Sequence, residues 1–140
     1  MARPSEYSEE TATAICDRLG QGESLRQICA DENMPGKSTV MRWLASQEAF
    51  RDQYARAREA QADYWAEEII EISDDDSGDT IKDEEKGTER FNSEFAARSR
   101  LRVDTRKWLM ARMAPKKYGD KVTQEHTGAD GGPVVVSWLK

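Results

Sequence analysis

Apolar residues in the first third of the chain recur at three- and four-residue intervals, in three short runs separated by turn residues. Ala12, Ile15, Cys16 and Leu19 form the first run, Leu25, Ile28 and Cys29 the second, and Val40, Trp43 and Leu44 the third. That spacing predicts three helices that each bury one stripe. Ser8 and Ser24 stand where N-caps belong, with Glu9 and Glu10 in the first turn of helix one. Gly20 and Gly22 stop the first helix, the stretch from Asp31 to Gly36 (DENMPG) ends the second, and the third runs over residues 37–46. Three short helices around one small cluster, the last two joined by a tight turn, form the helix-turn-helix pattern.

A longer period follows. From Gln47 to Ile72 the chain has neither Gly nor Pro, and Phe50, Tyr54, Ala57, Tyr64, Trp65, Ile69 and Ile72 share one broad face of a single long helix. Glu59, Asp63, Glu67 and Glu71 repeat every four residues as an acidic ridge on its other side. Residues 94–113 predict a second helix that is apolar on two sides: Leu101 and Trp108 on one, Val103 and Met110 nearly opposite. Arg98, Arg102 and Arg106 repeat every four residues between those faces, and a helix apolar on two sides needs two partners. The two long helices predict an antiparallel hairpin, with the second face covered by another copy and the arginine ridge complementary to the acidic one. Between them, residues 73–93 are rich in acid and carry only Ile81 and Phe91 as large apolar residues, so a mobile loop is expected.

Pro115 is expected to end the second helix. Beyond it an alternating run at 121–126, turn residues Gly128 to Pro133 and the apolar run Val134 to Leu139 predict a short β-hairpin. An isolated two-stranded hairpin is marginal, and a Val-rich edge needs cover from another chain. The pattern divides the chain into a helix-turn-helix domain at 1–47, a helical hairpin at 48–115 and a C-terminal β region at 116–140.

Composition adds a constraint. With 140 residues, 37% hydrophobic and 34% charged, and a mean hydropathy of -0.86, burial between subunits is expected. No run of eighteen apolar residues and no signal peptide is evident, so neither a membrane span nor secretion is expected. Cys16 and Cys29 fall on apolar helical positions and read as buried reduced thiols. The net charge of -6 is segmented: residues 1–52 carry -3, residues 53–89 carry -9 and residues 90–140 carry +6. Nine of the 21 basic residues lie between Arg98 and Val122. A local basic surface in an acidic chain supports DNA binding that is modest and salt dependent.

The third helix supplies the DNA-reading chemistry. In a helix-turn-helix the last helix enters the major groove, and its outward residues here are Lys37, Ser38, Thr39, Met41 and Arg42. Lys37 and Arg42 suit phosphate or guanine, Ser38 and Thr39 suit phosphate, and Met41 suits a thymine methyl. Gly36-Lys37-Ser38 resembles the end of a phosphate-binding loop, but Asp31 stands where that loop requires glycine, so no nucleotide site is assigned. No nucleophile with an adjacent base and no metal-spaced ligands occur, His126 stands alone, and neither an enzyme nor a cofactor is expected.

Four stretches carry a family resemblance: Arg3-Pro4-Ser5 with the first helix, MPGKSTVMRWLAS at 34–46, FRDQYARAREAQAD at 50–63 and LRVDTRKWLMARMAPKKYGDKV at 101–122. With these the chain resembles the small terminase subunit of tailed double-stranded DNA bacteriophages, and the last stretch is the most specific. The resemblance implies a ring-shaped homo-oligomer, an octamer or nonamer, in the host bacterial cytoplasm. It implies an N-terminal DNA-binding domain, a ring-building hairpin and a C-terminal β region closing an intersubunit barrel. The implied function is recognition of concatemeric viral DNA at a packaging site, delivery of that DNA to the large terminase subunit, and regulation of that subunit's ATPase and nuclease. Lys37, Ser38, Thr39 and Arg42 would contact DNA, with Arg26 on the flanking backbone. Trp65, Ile69, Leu101, Val103, Trp108 and Met110, with Arg98, Arg102 and Arg106, would build the ring. Val134, Val135, Val136, Trp138 and Leu139 would complete the barrel or meet the large subunit. The acidic insert at 73–93 is longer than the resemblance implies. The alternative is a dimeric helix-turn-helix transcriptional regulator, which requires two half-sites about one helical turn apart, ~34 Å, and no higher oligomer.

Overall fold

A computed structural model describes residues 2–121 and 127–137 of the chain. Helices α1 (Glu9–Gly20), α2 (Leu25–Ala30) and α3 (Lys37–Ser46) form the N-terminal cluster. Helix α4 (Glu48–Asp74), strands β1 (Thr80–Asp83) and β2 (Thr88–Phe91), and helix α5 (Ser93–Met113) follow, with a short α6 (Pro115–Tyr118) after them. The fold class is mainly α, as the periodicity predicts, with one small antiparallel β-hairpin.

The local signals act as the sequence leads one to expect. The Ser8 hydroxyl accepts from the Thr11 N–H, and Ser24 forms a complete capping box with Gln27. Ile15, Leu19, Ile28, Val40 and Phe50 are fully buried in one cluster built by α1, α2, α3 and the first half of α4. Tyr7 enters it from the N-terminal arm, edge-on to Trp43 with ring centroids 5.4 Å apart. Trp43 meets Phe50 at 6.4 Å and Phe50 meets Tyr54 at 5.9 Å, so aromatic packing joins the domain to the long helix. Both cysteines are buried free thiols, and burial followed by the neighbouring Asp17 charge pushes the Cys16 thiol up to about 11.

Helix α4 has 27 residues, about 40 Å at 1.5 Å per residue. Its second half packs antiparallel on α5 through a separate cluster of Ala62, Met110 and Ala114, flanked by Trp65, Ala66, Ile69, Met113 and Tyr118. Pro115 does more than end α5. It disfavours helical backbone at Ala114 (φ -132°, ψ 66°) and then occupies the first position of α6.

One expectation on β structure is corrected, and a second lies largely outside the described residues. The 73–93 segment is not without structure: β1 and β2 pair antiparallel within it, Thr80 opposite Phe91 and Asp83 opposite Thr88. Turn chemistry accounts for this. The Asp83 carboxylate accepts from the Glu85 and Lys86 N–H groups, its carbonyl accepts from Gly87 at 2.8 Å, and Gly87 takes the left-handed conformation (φ 61°). Because α4 and α5 are packed together they hold the segment's ends, which removes most of the loop-closure entropy that its composition alone could not repay. The expected C-terminal hairpin, over 121–126 and 134–139, lies largely outside the described residues. Ala129–Gly131 is a short 3-10 turn, and 132–137 has no ladder partner. Residues 122–126 and 138–140, with His126, Trp138 and Leu139, lie outside the described residues.

Phe50 links α1, α3 and α4 at full burial, so Phe50→Ala should cost about 3–5 kcal/mol in urea unfolding followed by circular dichroism. A loss below ~1 kcal/mol would show that the aromatic joint is not the centre of the domain.

Candidate nucleic-acid interface and assembly face

Burying Val40 and Trp43 fixes the phase of α3 and turns its other side outward. Lys37, Ser38, Met41 and Arg42 are exposed on that side, and Thr39 is half-buried at its edge. Gly36 is the N-cap and gives no side-chain hydrogen bond, so the first-turn N–H groups stay available to an incoming acceptor. The geometry therefore offers backbone donors, a hydroxyl and two cations over a short arc, which is chemistry suited to phosphate and base edges. Arg26 on α2 is exposed as well.

The N-terminal arm adds a cation that the helical pattern did not flag. Arg3 Nη1 donates to the Cys29 carbonyl at 2.9 Å, at the end of α2, while Arg42 Nη2 donates to the Ser5 carbonyl at 3.3 Å. The arm thus runs beside the α2–α3 turn, and only its Arg-Pro-Ser sequence hinted at a role. Arg18 braces the same turn from beneath. It pairs with Glu23 at 2.7 Å and Asp31 at 3.0 Å, and Asp31 in turn accepts from the Asn33 N–H. The Arg18 hydrogen bond holds the Glu23 carboxyl below its ordinary range, and the Asn33 N–H followed by Arg18 does so for Asp31.

On the hairpin, the two apolar sides of α5 separate as their spacing predicts. Met110 is 4% exposed and Val103 half-buried on the inner side, whereas Leu101 at 57% and Trp108 at 55% stand outward. Met110, Trp65 and Ile69 therefore serve the intrachain core, leaving Leu101 and Trp108 as the uncovered stripe. Arg112 lies over the Trp108 ring at 3.7 Å. Arg98 and Arg102 are exposed.

The complementary ridges need correction by one residue. Arg106 bonds Glu68, with Nε to Oε2 at 2.6 Å, and not Glu67 or Glu71, which are exposed. Glu68 lies three residues from Trp65 at the rim of the α4–α5 contact, so helical geometry brings it to the arginine. Asp63, which does belong to the ridge, accepts from Lys117 Nζ at 2.7 Å and Tyr118 Oη at 2.6 Å. These bonds pin α6 to α4 and take Lys117 out of the free basic surface. Hydrogen bonds from Lys117 and then Tyr118 hold the Asp63 carboxyl below its usual range, and the same bonds raise Lys117 and Tyr118.

Among the described residues no three His, Cys, Asp or Glu side chains are grouped to hold a metal, and no helix is long and apolar enough to cross a membrane.

A family model described as bacteriophage Sf6, terminase small subunit-like, matches residues 7–125. Crystal structures of three single-substitution variants of the terminase small subunit gp1 of the bacterial virus Sf6 are similar throughout. Two are 50% identical with a TM-score of 0.69, and the third is 49% identical with a TM-score of 0.68. Each alignment covers 98% of this chain and 95% of the Sf6 chain. No curated protein sequence matches.

The lowered Asp63 carboxyl implies stability that is fully present above the ordinary aspartate range, ~3.9, and is lost as pH falls through the folded value. The melting-temperature gap between the native chain and Asp63→Asn should therefore be constant near pH 6 and close as the solution is acidified below ~4. A gap that persists unchanged at the acid end would mean the ionised carboxylate is not what holds α6.

Proposed function

The chain belongs to the bacteriophage terminase small subunit family, and from that membership we propose that it is the non-catalytic DNA-recognition component of a viral genome-packaging motor. In this reading it works in the host bacterial cytoplasm, binds concatemeric double-stranded viral DNA at a packaging site, delivers it to the large terminase subunit and regulates that subunit's ATPase and nuclease. The observation that carries it is the outward face of α3. Lys37, Ser38 and Arg42 are exposed there on an uncapped helix N-terminus, in a helix-turn-helix unit mounted at one end of a long hairpin. Arg26 and Arg3 flank it, on α2 and the arm.

The uncovered Leu101 and Trp108 stripe fits assembly into a homo-oligomeric ring, with Arg98 and Arg102 beside it. A ring makes weak single contacts useful, because once one unit is bound the next engagement is intramolecular. That matters for a segment whose own charge is -3 and whose isolated contact with DNA is correspondingly weak. The division into 1–47 for DNA, 48–115 for assembly and 116–140 as a C-terminal β region that completes an intersubunit barrel or meets the large subunit follows from the same reading. Val134, Val135 and Val136 are exposed at 53%, 87% and 67%, which fits a tail that meets the large subunit or a neighbouring copy.

Mass in solution together with a salt-dependent DNA titration tests this. The expected result is an octamer or nonamer that binds duplex DNA, with Lys37→Ala and Arg42→Ala each weakening binding by about 1–3 kcal/mol per engaged unit and Arg102→Ala leaving it intact in an assembled ring. A dimer of fixed mass would favour a transcriptional regulator, and binding lost only with Arg102→Ala would move recognition to α5.

A further inference from the structure

Helix α4 carries two buried stripes that follow one another along its length. Phe50, Tyr54 and Ala57 pack in the N-terminal cluster, while Ala62, Trp65, Ala66 and Ile69 pack in the α4–α5 cluster. Gln61 lies where they meet. It is the one buried polar residue among those described, with 0% exposure. Its Nε2 donates to the Glu23 carbonyl at 2.7 Å, in the turn between α1 and α2, and its Oε1 accepts from Arg58 Nη1 at 2.6 Å. One turn further along, the Tyr64 ring lies against Gly22. That glycine has φ +94°, and a Cβ there would overlap the ring at Cδ1 and Cε1. The Gln61 amide is satisfied on both sides, and no buried side-chain polar atom among the described residues lacks a partner.

Apolar contact attracts without fixing register, because one methyl group is much like another. A hydrogen bond from a buried amide to one particular carbonyl permits a single alignment, since every other leaves polar groups unpaired. From Glu23 the constraint continues through Arg18 to Asp31, which shapes the turn leading into α3. We propose that Gln61, with the Gly22–Tyr64 contact beside it, is a positioning latch that sets the angle of the helix-turn-helix unit on the hairpin. In an assembly built on the hairpin, recognition helices are then presented at fixed intervals and angles, not on loose tethers, and matched spacing along DNA becomes part of recognition. This rests on the reading of α3 as the DNA-contacting helix.

The test uses the full chain with spin labels at Ala45→Cys on α3 and Ala97→Cys on α5, both exposed sites, diluted with unlabelled protein. Pulsed dipolar spectroscopy should give one narrow distance distribution with Gln61 present. Gln61→Leu keeps the volume but removes both hydrogen bonds. It should broaden or shift that distribution at unchanged mass and helical content, with DNA affinity reduced by on the order of 10-fold. Tyr64→Ser, at a half-exposed side chain, should broaden it to a lesser degree and serves as the deciding arm if Gln61→Leu does not fold. An equally narrow distribution in the folded variants would overturn the latch, and a broadened one with unchanged DNA affinity would overturn its role in recognition. The DNA reading fails separately: if Lys37→Ala leaves binding intact, α3 is not the contact, while the distances still decide the latch.

Discussion

The continuity of α4 is the constraint from which the architecture follows. A single helix of 27 residues supplies one wall of the N-terminal core and one wall of the hairpin core. Neither cluster closes without it: Phe50 and Ala57 complete the first, Ala62 the second. Because a helix transmits orientation along its length, the pose of α3 relative to α5 is set by where each packs on this shared rod. A glycine or proline near its centre would separate two units that now form one body.

Charge is used along that rod in two ways. Within the chain, Glu68 with Arg106 and Asp63 with Lys117 and Tyr118 staple α5 and α6 to α4, neutralising part of the C-terminal excess of positive charge. Cations that stay exposed include those on the outward face of α3 and the arginines of α5 beside Leu101 and Trp108. The basic stretch that dominates the composition is therefore mainly a strut. In the proposed function the DNA-reading role belongs to α3, a helix with few charges but an open N-terminus.

Much of this is legible in the sequence because caps and periodicity are local. Ser8, Ser24 and the Val40–Trp43 spacing give the N-terminal helices, and through them the outward phase of Lys37, Ser38 and Arg42. The seven-residue spacing of Leu101 and Trp108 likewise separates the inner from the outer side of α5. Partner choice is not local, and there the sequence falls short. Glu67 and Glu68 differ by one helical step, and only the packed hairpin decides that Glu68 meets Arg106. Gln61 could not be read as core, because its burial depends on a carbonyl from a distant turn. The β-hairpin was hidden by its acidity, although Asp83 and Gly87 hold its turn residues in plain view.

Amide hydrogen exchange on the assembled full chain, with and without duplex DNA, distinguishes α3 from α5 as the DNA contact. The expected result is new protection concentrated at residues 37–42 and the adjoining arm, with exchange across 98–112 the same in both states. Protection confined to 98–112 with α3 unchanged would contradict the assignment of recognition to α3.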